Sequence, residues 1–236
     1  MKNPLHKKIE MDILKKIESG EYPLNELIPT EMELADSYDV SRPTIRQAIQ
    51  SLVNAGYLEK RRKRGTIVKQ PKIEQEFTRS IESFNSELYR KGLFPQTQVL
   101  SFTKTKATKD VAKNLELNVD TPVYKLTRLR FAKDQPVVFV TSFIPCEMFP
   151  HLNEIDFSQQ SLYKTFEQMG KPVCSARRKL EIASADETLS HLLDISENDP
   201  LFLFSTQGFT AEKIPIEYSI AKYRSDINHF IFEVSV

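Results

Sequence analysis

Two pairs of arginines carry the most readable chemistry in this chain: Arg42 with Arg46, one helical turn apart, and Arg128 with Arg130, separated by one residue. A guanidinium forks onto guanine O6 and N7, onto phosphate or onto carboxylate, so each pair asks for a base edge or an anion. Beside the first pair stand Ser41, Thr44, Gln47 and Gln50, whose hydroxyls and amides suit base edges and phosphates. Further on, residues 58–72 hold Lys60, Arg61, Arg62, Lys63, Arg64, Lys69 and Lys72 against Glu59 alone. That cluster either lies against phosphate or forms a solvated loop. The second pair repels itself unless an anion intervenes, supplied by a protein acid such as Glu181 or Glu217 or by a small acidic ligand. Enzyme chemistry is poorly served. His6, His151, His191 and His229 are scattered without metal-ligand spacing, and the chain has neither GxSxG nor a phosphate-cradling glycine loop. No cofactor and no metal is expected.

The elements that position these residues follow from periodicity and punctuation. Leu5, Ile9, Ile13 and Ile17 repeat every four residues, with Leu14 alongside, and draw one apolar stripe on a first helix ending near Ser19-Gly20. Thr30-Glu31-Met32-Glu33 reads as a capping box opening a second helix to about Tyr38. After a three-residue turn, Ser41 reads as the cap of a third helix, with Ile45, Ala48, Ile49, Leu52 and Val53 inward and an end at Ala55-Gly56. Tyr57–Lys60 and Thr66–Lys69 read as two short strands around a basic tip containing Gly65. Three helices and a basic hairpin are the parts of a winged helix-turn-helix, whose third helix enters the major groove.

Beyond a polar stretch from Pro71 to about Arg79, strands and helices alternate without a regular repeat. Strands are expected at 97–102, 123–131, 137–144, 177–183, 201–210 and 214–223, and helices at 81–91, 109–115, 162–169 and 186–193. The tight connections 132–135 and 211–213 suit antiparallel hairpins and an α+β fold. Arg128 and Arg130 then share a sheet face with Tyr124 and Leu126. Gly20, Gly56, Gly65, Gly92, Gly170 and Gly208 punctuate the chain.

At 236 residues the chain is long for one core. Its net charge of +1 hides an uneven division. Residues 1–70 carry thirteen Lys and Arg against ten Asp and Glu, leaving twenty against twenty-two for the rest. The apolar runs fall short of a membrane span, and the N-terminus is charged where a signal peptide is apolar. Cys146 and Cys174 form no CxxC pair and read as reduced thiols in a cytoplasmic protein.

Residues 28–35 (IPTEMELA), 40–48 (VSRPTIRQA), 52–58 (LVNAGYL) and 65–68 (GTIV) together resemble the DNA-binding domain of GntR-family bacterial transcription regulators. Residues 123–130 (VYKLTRLR), 135–137 (QPV), 142–145 (SFIP), 161–163 (SLY) and 215–218 (PIEY) resemble the UTRA effector domain of its HutC-type branch. The resemblance implies a winged helix-turn-helix at 1–70, a linker at 71–79, and at 80–236 a chorismate-lyase-like antiparallel sheet with flanking helices. It implies contacts to double-stranded operator DNA from Ser41, Arg42, Thr44 and Arg46, with Gln47 on the same helix. The hairpin tip (Lys63, Arg64, Gly65, Thr66) would approach the minor groove. In relatives that sense sugar phosphates, the residues matching Ser83, Phe84, Arg128 and Arg130 surround the phosphate, and those matching Ser161, Tyr163, Glu217 and Tyr223 line the rest of the pocket.

The implied function is a homodimeric, ligand-responsive regulator, a repressor governed by a small anionic effector such as a phosphorylated sugar. Two alternatives stay open: a chorismate-lyase-like enzyme, and a ligand-independent DNA-binder with Arg128 and Arg130 paired internally. The chain departs from the family pattern at four places. Asp39 and Lys63 stand where glycines are usual, Met32 where arginine is frequent, and Val140 where a strand glutamate is frequent.

Overall fold

The computed structural model describes residues 4–75 and 84–232. The chain divides into two compact units, Met1–Ile73 and Glu74–Val236.

The first unit is built on helices α1 (Leu5–Glu18), α2 (Glu31–Tyr38) and α3 (Arg42–Asn54). The stripe on α1 buries Ile9 and Ile13, whereas Leu5 is exposed. The capping box at Thr30 is complete: its hydroxyl accepts from Glu33 N at 3.3 Å and its amide donates to the Glu33 carboxylate at 2.8 Å. Asp39 ends α2 in the left-handed region (φ 51°), the conformation that a glycine there would take without cost. Ser41 occupies the N-cap of α3 but does not cap it; its hydroxyl instead lies 2.8 Å from Thr44 Oγ1. The Thr44 amide that a capping hydroxyl would accept from donates instead to Ser41 O at 3.0 Å. Ile45, Ala48, Ile49 and Leu52 of α3 close one core with Ile13, Ile28 and Leu34.

Strands β1 (Leu58–Arg61) and β2 (Gly65–Val68) form the wing, pairing Leu58 with Val68 and Arg61 with Gly65. Gly65 has φ 108°, and a Cβ on it would lie 2.9 Å from Leu27 Cδ2. Glycine is therefore required at this turn. Lys63, two residues earlier and also at positive φ (64°), carries a side chain in that conformation. Within the stretch expected to be plain linker, residues 73–75 form a strand, β3 (Ile73–Gln75).

The second unit continues with α4 (Phe84–Arg90), β4 (Pro95–Lys106), α5 (Lys109–Leu115), β5 (Pro122–Ala132) and β6 (Gln135–Pro145). A 3-10 turn (Leu152–Glu154), α6 (Leu162–Gln168), β7 (Ser175–Ser184), α7 (Glu187–Leu193), β8 (Pro200–Phe209), β9 (Pro215–Arg224) and β10 (Asn228–Phe230) complete it. Six strands make one antiparallel sheet in the order β4-β5-β6-β9-β8-β7, and β10 pairs with β3. The β5–β6 turn places Lys133 and Asp134 both at positive φ (49° and 63°), the two-residue hairpin geometry that suits twisted strands. Gly208 does not punctuate: it lies inside β8, where Val173 packs 3.3 Å from the position of a Cβ.

Contrary to the sequence reading, the unit does contain a repeat. β4–α5–β5–β6 and β7–α7–β8–β9 follow the same course and meet at the β6–β9 seam. Thr108 caps α5 by accepting from Val111 N, and Asp186 caps α7 by accepting from Leu189 N. Both helices end on an acidic residue in the left-handed region, Glu116 at φ 54° and Asp194 at φ 52°. Ala107 N donates to Thr121 O and Ala185 N to Asp199 O, each at 2.9 Å.

Candidate functional site

On α3, Arg42, Arg46 and Gln47 are exposed, Thr44 is half-buried against Ser41, and Gln50 donates to Asn54 at 2.9 Å. One acid organises this surface. Glu31, at the first position of α2, accepts from Arg46 Nε at 3.2 Å and from Lys60 Nζ at 2.9 Å, so it ties the third helix to the wing. The Lys60 hydrogen bond holds the Glu31 carboxyl below the usual range; burial opposes this and Arg46 adds to it.

The basic run is less uniform than its composition suggests. Arg61 and Lys69 pair with Glu59 at 3.1 and 3.6 Å and Lys60 with Glu31, which leaves Arg62, Lys63 and Arg64 exposed at the tip beside Gly65 and Thr66. Among the described residues none of these three tip cations forms an ion pair. Met32 is exposed on α2.

In the second unit Phe84, Arg128, Arg130, Ser161, Tyr163, Glu217 and Tyr223 all line one cavity over the six-stranded sheet. Ser83 lies outside the described residues. The cavity measures about 110 Å³, several times the space that one water needs. Arg128 is buried and donates Nη2 to Ser142 Oγ at 3.2 Å; Ser142 donates to Glu217 Oε1 at 2.8 Å, and Tyr163 Oη donates to Glu217 Oε2 at 2.7 Å. Arg130 lies over the Phe84 ring, 4.9 Å from its centre.

Among the described residues the buried Nε atoms of Arg128 and Arg130 have no hydrogen-bond partner and neither arginine forms an ion pair. Burial pushes both guanidinium pKa values down, and for Arg128 the charge of Arg130 pushes further. Burial, then the Glu217 charge, raises the Tyr163 hydroxyl well above its ordinary range.

The expected acid partners divide. Glu217 faces the arginines through Ser142, whereas Glu181 is exposed on β7 and pairs with Lys179 at 2.8 Å. Ser161 both accepts from Lys164 N, as a helix cap does, and faces the cavity. Tyr223 likewise has two surroundings. Its ring lines the cavity and meets Phe230 edge-on at 5.2 Å. Val140 replaces a frequent acid with an apolar wall.

The sequence reading missed Ser142, Thr206, Ser219 and Arg178, which also line the cavity. Their shared face follows from strand register, which no local signal reveals.

Among the described residues no helix is long and apolar enough to cross a membrane. The family described as bacterial regulatory proteins, gntR family, matches residues 5–68, and the UTRA domain matches residues 90–228. The chain is 30% identical to the HTH-type transcriptional repressor NagR of Bacillus subtilis, over 97% of this chain and 93% of that one. It is 28% identical to the mannosyl-D-glycerate transport/metabolism system repressor MngR of Escherichia coli, over 94% and 92% of the two chains. The crystal structure of PhnF from Mycobacterium smegmatis has the same fold, with a TM-score of 0.80 at 24% identity, covering 98% of this chain and 99% of that one. A helical reading head and a sheet unit with a polar cavity, in this order and matched over almost their full length, make this chain a member of the GntR family of transcription regulators, with a UTRA domain as its second unit.

Proposed function

We propose that this regulator is a cytoplasmic, two-fold symmetric repressor whose hold on operator DNA is set by a phosphorylated sugar bound over the six-stranded sheet. One observation carries the reading: Arg128 and Arg130 stand two residues apart on one strand in a polar cavity, each with a buried Nε that has no hydrogen-bond partner among the described residues. Taking a charge out of water costs several kcal/mol unless an anion compensates it. A phosphate dianion supplies two charges and enough acceptors for both forks. Glu217, an acceptor only, is held in the same cavity by Ser142 and Tyr163, where sugar hydroxyls would donate to it. The ligand-independent reading required internally paired arginines, and the missing ion pairs weigh against it. Support also comes from relatives named as repressors, MngR of a mannosyl-D-glycerate system among them.

On the DNA side, Arg42, Arg46, Thr44 and Gln47 of α3 would face the major groove, with Ser41 at its entry. Lys63 and Arg64 would contact the minor-groove phosphates at the wing tip, where Gly65 and Thr66 bring the backbone close. A palindromic operator then pairs with a homodimer. The route between the sites starts at Tyr223. Its ring touches Phe230 of β10, Asn228 of β10 holds the Gln75 side chain of β3 at 2.8 Å, and β3 continues into the chain of the first unit. A ligand acts along this route only by the difference in its affinity for DNA-competent and incompetent arrangements.

The test uses fluorescence anisotropy on a labelled duplex covering the promoter of the protein's own gene. A panel of hexose 6-phosphates is added to the protein–DNA complex and each sugar is recovered afterwards. Changed anisotropy with unaltered sugar supports the proposal. Turnover of the sugar, or equal binding to a random duplex, refutes it.

A further inference from the structure

Strand register sets Ser142 of β6, Ser219 of β9, Thr206 of β8 and Arg178 of β7 side by side on one rung of the sheet. Opposed residues in a ladder share a face, and all four line the cavity that contains Arg128 and Arg130. The Arg128 guanidinium sits at the Ser142 end of this rung. Arg178 stands three strands away, roughly 14 Å along the sheet at about 4.8 Å per strand.

Between them lie only the short hydroxyl side chains of Ser219 and Thr206, and the next rung brings Val140 beside Ala221. The result is a shallow, hydroxyl-lined trough with a cation at each end. Arg178 is half-buried, while its neighbours Arg177 and Lys179, which alternate to the other face, are exposed. Arg178 lines the same cavity as Tyr163 and Tyr223, whose hydroxyls burial raises and the Arg178 charge lowers.

We infer that Arg178 is a second anchor of the cavity, donating to oxygens at the end of a phosphorylated sugar remote from its phosphate and so selecting ligands long enough to span the trough. This rests on the anion reading of Arg128 and Arg130. A free phosphate held at the β5 side ends far short of β7, whereas the hydroxyls or a carboxylate of a phosphorylated sugar extend along the rung. Guanidinium, with donors only, takes the oxygen lone pairs of that end; Glu217, with acceptors only, takes its hydroxyl hydrogens.

Titration calorimetry of the full-length protein with inorganic phosphate and with a panel of hexose 6-phosphates tests the inference. In Arg178→Met the tightest hexose phosphate should bind about tenfold or more weakly, while inorganic phosphate stays within about twofold, as expected when one charge-assisted hydrogen bond is lost remote from the phosphate. Retained phosphate binding also certifies that the variant is folded. Arg178→Lys, which keeps the charge and loses the fork, should fall between the two. Parallel loss of both ligands, loss of neither, or a wild type that prefers no hexose phosphate over phosphate overturns the role of Arg178. If the wild type binds neither phosphate nor any sugar phosphate, the anion reading itself falls, and this inference with it.

Discussion

Replacing Arg130 with Met should make the ligand-free protein more stable and deaf to its effector. In the free cavity this guanidinium is compensated by its position over the Phe84 ring at 4.9 Å and by the more distant Glu217 charge, while among the described residues its Nε has no hydrogen-bond partner. A cation–π contact of this kind contributes about 0.5–2 kcal/mol, against a desolvation penalty of several kcal/mol for an ion held away from water. Removal also relieves the repulsion on Arg128 and leaves the Arg128–Ser142–Glu217–Tyr163 chain intact. The net gain should be about 1–2 kcal/mol, a rise of roughly 2–6 °C in the effector unit's transition by scanning calorimetry. In the same assay the wild type should gain about 2.7 kcal/mol from a sugar phosphate at a hundred times its Kd, and the variant nothing. A variant that is less stable than the wild type without ligand, or that keeps the ligand-induced gain, would refute the reasoning and make Arg130 a structural residue.

Arg46→Ala should weaken operator binding by about 1–3 kcal/mol in anisotropy titrations if this exposed side chain leaves Glu31 to read a base or hold a phosphate; undiminished affinity removes it from the interface. Because the folded-state pKa of Glu31 is lowered, mainly by Lys60, its stabilising effect is full above the ordinary carboxylate pKa and fades as pH falls through the depressed value. Thermal midpoints of wild type and Glu31→Gln should therefore differ slightly at neutral pH, by less than about 1 kcal/mol for so exposed a network, and converge in acid. Asn228→Leu strands the buried Gln75 amide and the carbonyls of Arg224 and Val137, so it should cost about 1–3 kcal/mol in denaturant unfolding. It should also blunt the operator response to effector even where ligand affinity is preserved.

Sequence patterns revealed most where the signal was local. The α1 stripe, the Thr30–Glu33 box and the 132–135 hairpin are each specified by residues within one turn or one strand of each other, and each stands where expected. Signals failed when they were short or distant. β3 and β10 are three residues each, too few for a period to register. Glu31 read as a helix-start acid because its partners are 15 and 29 residues away. Ser41 looked like a cap because its type and place were right, yet Thr44 took its hydroxyl. Arg178 sits between Arg177 and Lys179 in a strand whose composition does not mark an inward face, and its pairing with Thr206 shows which of the three faces inward. The repeat escaped notice because its halves keep shape and change identity, Thr108 and Asp186 doing one job with different side chains.

That doubling separates what a family of sensors must keep from what it is free to alter. Counting 78 positions on from Arg128 and Arg130 reaches Thr206 and Gly208 in the later half, so the arginine pair proposed to hold a phosphate has no twin across the seam. On the proposed reading, substitutions on β7 and β8 would exchange one ligand for another while the arginine pair keeps its hold. A lineage of such proteins would diversify its diet by drift in one copy, with the other holding still.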